Sequence, residues 1–101
     1  MNDRIQLQYL LERILGNKNV YFQPPSNIHL KYPCIVYKYS DGNKQYANNN
    51  SYITRTKYSI QLIIDNPDNT IKDDLLALPY CVFDRFFAKN GLNHYNYQIY
   101  Y

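Results

Sequence analysis

Apolar residues recur along this chain at two spacings, one helical and one extended. Over Arg4–Leu15, Leu7, Leu10, Leu11, Ile14 and Leu15 fall three and four positions apart, with Gln6, Gln8, Glu12 and Arg13 between them. That period places one apolar stripe on a helix. Asn2 or Asp3 can cap its start, and Gly16 followed by Asn17 stops it. Val20-Tyr21-Phe22 then reads as a short strand, and Pro24-Pro25 imposes a rigid extended bend after it. Cys34–Tyr39 is a β-branched and aromatic run of strand length, with Pro33 at its entry, where a missing N–H does least harm. The clearest strand lies within Tyr52–Ile64. There Tyr58, Ile60, Leu62 and Ile64 alternate against Lys57, Ser59, Gln61 and Ile63, the period-two pattern of a sheet with one buried face.

Asp65–Asn69 is a turn, and Thr70 followed three residues later by Asp73 is a capping-box-like helix start. Ile71, Leu75 and Leu78 share one face of a short second helix that Pro79 ends. Cys81–Ala88 reads as a strand with Val82, Phe86 and Ala88 on one face. Asn90-Gly91 tolerates the positive φ of a tight hairpin, and His94–Tyr101 closes the chain with Tyr95, Tyr97, Ile99 and Tyr101 alternating against polar neighbours and Tyr100. The order helix, strands, helix, hairpin predicts one α+β domain over residues 1–101. It would hold an antiparallel sheet of about four to five strands with two helices packed on one face.

Between the second and third strand runs lies Ser40–Ser51, a polar stretch with almost nothing to bury. Neighbouring antiparallel strands need only about two to five residues to turn. Loops this long in small domains are usually functional arms, or segments that order on a partner. The expectation is an extended, protruding contact arm over residues 40–51. Its candidate contact residues are Asp41, Asn43, Lys44, Gln45, Tyr46, Asn48, Asn49, Asn50, Tyr52 and Arg55.

Composition adds one unusual feature, 13 tyrosines in 101 residues. Tyr pairs a large apolar ring with a polar tip, so it suits sheet faces and wet interfaces alike, although free use of Tyr, Asn, Lys and Ile by a low-GC genome gives the same count. The net charge of +3 comes from 11 basic and 8 acidic residues with no basic run, so an electrostatic footprint for nucleic acid is missing. The N-terminus leads into an amphipathic helix and not an apolar signal segment, and no apolar stretch reaches membrane-spanning length. A cytosolic origin follows as an expectation, with Cys34 and Cys81 as buried free thiols.

The inventory of reactive groups is thin. Cys34, Cys81, His29 and His94 lack the paired short spacings of a structural zinc site. Asp65, Asp68, Asp73 and Asp74 surround a turn, but Pro67 interrupts them and no terminal Glu follows, unlike a calcium loop. Gly16, Gly42 and Gly91 sit at stops or turns and form no phosphate cradle. Cys81 and His94 can be drawn as a nucleophile pair, but no cation near Cys81 in sequence would activate it. No catalytic residue, metal or cofactor is expected. A sheet-based binder of single-stranded nucleic acid would use Tyr37, Tyr39, Tyr97 and Tyr100 with Lys31, Lys38, Arg55 and Lys57, although the Gly-aromatic signature of such sheets is missing.

Tyr21–Pro25, Lys31–Tyr37, Leu78–Phe86 and the Leu92-Asn93-His94 ending with its Tyr-rich tail, taken with Tyr46-Ala47-Asn48 and the Asp65–Asp68 turn, resemble the tail-terminator (tail-completion) proteins of long-tailed bacteriophages. The resemblance implies an α+β fold and a structural virion protein, not an enzyme. Such proteins form a six-fold ring of copies of themselves on the finished tail tube, at the tail–head interface, after assembly in the host bacterial cytoplasm. The implied partners are the major tail tube protein, the head-side connector or stopper protein, and genomic DNA passing through the lumen without specific binding; no membrane is involved. Head-completion proteins of the neighbouring ring are similar in size and form the alternative within the same neck region.

Overall fold

The computed structural model describes residues 3–40 and 56–101. Its elements are α1 (Asp3–Leu15), β1 (Val20–Phe22), β2 (Cys34–Tyr39), β3 (Lys57–Ile64), α2 (Ile71–Leu76), β4 (Cys81–Lys89) and β5 (Leu92–Tyr100). The chain is α+β, with five strands in one sheet in the order β1-β2-β3-β5-β4. Three of the four pairings are antiparallel, as expected. The fourth is not: β1 runs parallel to β2, with Val20 opposite Ile35 and Phe22 opposite Tyr37, so the sheet is mixed. Alternation identifies a strand without identifying its partner's direction, and the Gln23–Pro33 segment is long enough to carry the chain back for a parallel return. That segment passes the face of the sheet turned away from the helices, where the Lys31 N–H donates to the Tyr21 hydroxyl at 3.3 Å.

Both helices cover the other face. Leu7, Leu11 and Leu15 of α1 and Leu75 of α2 are buried in one cluster with Val20, Ile35, Tyr37, Tyr58, Ile60, Leu62, Ile64, Tyr95, Tyr97 and Ile99. Leu10, Ile14, Ile71 and Leu78 pack against its margin, so both helical stripes read from the sequence point inward. Two buried tyrosines tie the layers together through their hydroxyls. Tyr37 donates to Gln8 Oε1 at 2.6 Å and accepts from Arg4 at 3.2 Å, while Tyr97 donates to the Lys72 carbonyl at 2.8 Å. Burial raises the pKa of both phenols, with Arg4 opposing the effect at Tyr37, so the donors stay in place at neutral pH.

Three local details refine the expected elements. Gly16 ends α1 at φ +87°, its N–H returning to the Glu12 carbonyl at 2.9 Å. Thr70 is helical and makes no side-chain cap. Asn69 caps α2 instead, accepting from the Lys72 N–H at 3.0 Å while its own amide donates to the Asn66 carbonyl at 2.8 Å. Asn90 (φ +56°) and Gly91 (φ +76°) form the two-residue turn between β4 and β5.

Candidate assembly interface

The ladder between β2 and β3 reaches Tyr39 opposite Tyr58, so the long polar segment is a hairpin connection. Its roots are fixed in the sheet: the Ser40 N–H donates to the Lys57 carbonyl at 3.0 Å, and the Thr56 N–H donates to that of Tyr101 at 3.1 Å. Every candidate contact residue named from the sequence lies outside the described residues: Asp41, Asn43, Lys44, Gln45, Tyr46, Asn48, Asn49, Asn50, Tyr52 and Arg55. The same holds for the helix cap Asn2 and for the first part of the Tyr52–Ile64 run; β3 itself begins at Lys57.

β4 departs from the ordinary strand that its sequence predicts. It is nine residues long, lies at the sheet edge and pairs with β5 alone among the described strands. Val82 is 59% exposed, Phe83 48%, Phe86 49% and Phe87 39%. Four large apolar side chains exposed along one edge strand mark an edge of the kind that other chains cover. A β-bulge at Asp84 breaks the alternation, because Phe83 opposes Tyr97 while Arg85 already opposes Asn96. The expected grouping of Val82 with Phe86 and Ala88 therefore fails. Phe83 and Phe86 join the helix face, where they meet Tyr97 (ring centroids 5.7 Å apart) and Tyr95 (5.0 Å). Val82, Arg85 and Phe87 take the open face, where Phe87 stacks on His94 at 4.5 Å.

The open face is mostly polar near β4. Gln98 Oε1 accepts from the Ser40 and Ser59 hydroxyls, and Gln98 Nε2 donates to Asp84 Oδ2 at 3.4 Å. His94 Nδ1 and Asn96 Nδ2 are buried with no hydrogen-bond partner among the described residues. Burial, with Lys89 adding to it, lowers the pKa of His94, so the imidazole is neutral at pH 7. Recesses of about 220, 270 and 230 Å³ border the sheet, each below the size of a typical small-molecule site at roughly 300 Å³ or more.

The register also separates the groups that could have carried chemistry. Cys34 is on β2 and the open face, Cys81 on β4 and the helix face, with β3 and β5 between them. They cannot form a disulfide or share a metal ion without rebuilding the sheet. Burial pushes both thiols up to about 11, so neither is a ready thiolate. His94 lies opposite Phe87 on the other face from Cys81, which dissolves the nucleophile pair. The aromatic platform for nucleic acid is likewise not open, because Tyr37 and Tyr97 are buried beneath the helices.

Among the described residues no helix is long and apolar enough to cross a membrane, and no group of three or more His, Cys, Asp or Glu is placed to hold a metal ion. No protein family, curated protein or solved structure matches this chain.

Proposed function

We propose that the chain is a structural assembly protein of a phage tail, a tail terminator. In this reading its copies close a ring on the end of the tail tube, the far side of the ring meets the head connector, and DNA passes through the lumen. A ring of identical subunits requires two different patches of the chain to meet head to tail with a rotation that closes. The observation that carries the reading is the β4 edge, a long strand with one ladder partner and four exposed apolar side chains. The resemblance of Tyr21–Pro25, Lys31–Tyr37 and Leu78–Phe86 to tail-terminator proteins supplies the setting. The connection rooted at Ser40 and Thr56 supplies a second contact, as an arm towards a neighbouring subunit or the tube.

Cryo-electron microscopy of purified tails tests this directly. The expected result is a ring of this chain at the head-proximal end of the tube. Absence of the chain from purified virions overturns the proposal, and recovery on DNA-filled heads in place of tails reassigns it to the head-completion ring. Deleting Asn43–Asn50 should leave cooperative thermal unfolding intact and abolish attachment to tubes.

A further inference from the structure

From Val82 to Phe87, β4 reads apolar, apolar, Asp84, Arg85, apolar, apolar. Laid antiparallel against itself about a point between Asp84 and Arg85, this strand is its own complement. Phe83 meets Phe86, Val82 meets Phe87, Cys81 meets Ala88, and each Asp84 meets an Arg85.

In a regular strand such a pairing is forbidden. Residues an odd number of positions apart face opposite sides of the sheet and turn their backbone groups to opposite edges. The bulge at Asp84 removes the conflict. Phe83 and Phe86 oppose Tyr97 and Tyr95, which are two apart on β5, so they share both a face and a backbone direction. Val82 and Phe87 oppose Gln98 and His94, and Cys81 and Ala88 oppose Ile99 and Asn93, with the same even spacing. Asp84 reaches the open face, where it meets Gln98, and Arg85 is on that face opposite Asn96.

We infer that β4 pairs antiparallel with β4 of a second copy of this chain across a two-fold axis between Asp84 and Arg85, continuing one sheet through both subunits. Charges on an edge strand ordinarily discourage pairing. Here the two charges are adjacent and opposite, so the two-fold sets each against its complement twice per interface. They also fix the register. A slip of one residue in either direction brings Arg85 against Arg85 or Asp84 against Asp84, and like charges directly opposite are destabilising. The ladder is carried by the two arms, Cys81–Phe83 against Phe86–Ala88 and the reverse, on either side of the bulge.

Because the pairing is isologous, both sides of the dimer are equivalent and it is not itself a polar cap. It goes beyond the tail reading but uses the same β4 edge, so it is a state of the free chain that must open before a ring can close. Sedimentation equilibrium of the purified full chain, from micromolar to submillimolar concentration, tests it separately from microscopy of tails. The expected result is a reversible shift from the mass of one chain to that of two. Asp84→Arg and Arg85→Asp should each weaken the dimer by about tenfold, and the double exchange should restore most of the affinity. Thermal unfolding of each variant as a dilute monomer should stay cooperative, since both side chains sit at the exposed edge. A monomer at every concentration, a closed ring in place of a dimer, single variants that dimerise like the parent, or a double exchange without recovery would each overturn the inference.

Discussion

At one edge of the sheet, β1 is three residues long, followed by Gln23 at φ +45° and by Pro24 and Pro25, with α1 packed beside it. At the other edge, β4 runs for nine residues with β5 as its one strand partner among the described residues and α2 against part of it. Phe22 of β1 is held between Arg4, whose guanidinium lies 4.4 Å from its ring centre, and the rings of Tyr37 and Tyr39 at 4.9 and 5.3 Å. Phe83 and Phe86 of β4 each touch one tyrosine and are otherwise about half open to water. The short edge is blunted by prolines that lack an N–H to offer a new strand, whereas the long one keeps its outward backbone groups. The difference separates two jobs. Stability is concentrated where the helices cover the sheet, and the capacity for contact is concentrated where they do not.

Four substitutions probe that division, beginning with the largest effect. Leu62→Ala, at a fully buried site on the central strand β3, should cost about 2–5 kcal/mol in urea unfolding. Tyr37→Phe leaves Gln8 Oε1 without the donor that now reaches it at 2.6 Å, and should cost about 1–3 kcal/mol by the same measurement. A smaller effect is expected at His94, whose pKa burial and then Lys89 lower below 6.5. The unfolded chain therefore takes up the proton first. The stability that neutral His94 contributes is complete above its unfolded pKa and is lost as pH falls through the lowered folded value. Urea midpoints measured from neutral to mildly acidic pH should show a shallower acid slope for His94→Gln. Val82→Thr, measured on the dilute monomer, should change stability by less than about 0.5 kcal/mol, since Val82 is mostly exposed. A large loss at Val82 would show that the edge strand contributes to the fold as much as the covered half does.

Much of the fold was legible because its periods are clean. Leu7, Leu11 and Leu15, and Tyr58, Ile60, Leu62 and Ile64, turn inward as their spacing requires, and Asn90-Gly91 makes the hairpin it suggests. The direction of β1 was not legible, since parallel and antiparallel partners ask the same alternation of Val20–Phe22. Nor was the bulge, which inserts Asp84 without any residue type that demands it. Asn69 and Thr70 are both capping residues, and only the backbone geometry decides between them. The β4 interface was hidden for a deeper reason. Nothing in the local sequence marks Val82, Phe83, Phe86 and Phe87 as exposed; their exposure follows from β4 being last in the strand order, a property of topology. In the polar 40–51 stretch, by contrast, length alone signals a role.

Thr56 and Tyr101 exchange both backbone bonds, at 3.1 and 2.9 Å. A probe attached after Tyr101 is thus delivered to the root of the 41–55 connection by the sheet itself. A dye or spin label there serves as a local reporter for whatever engages that connection, without a substitution in it.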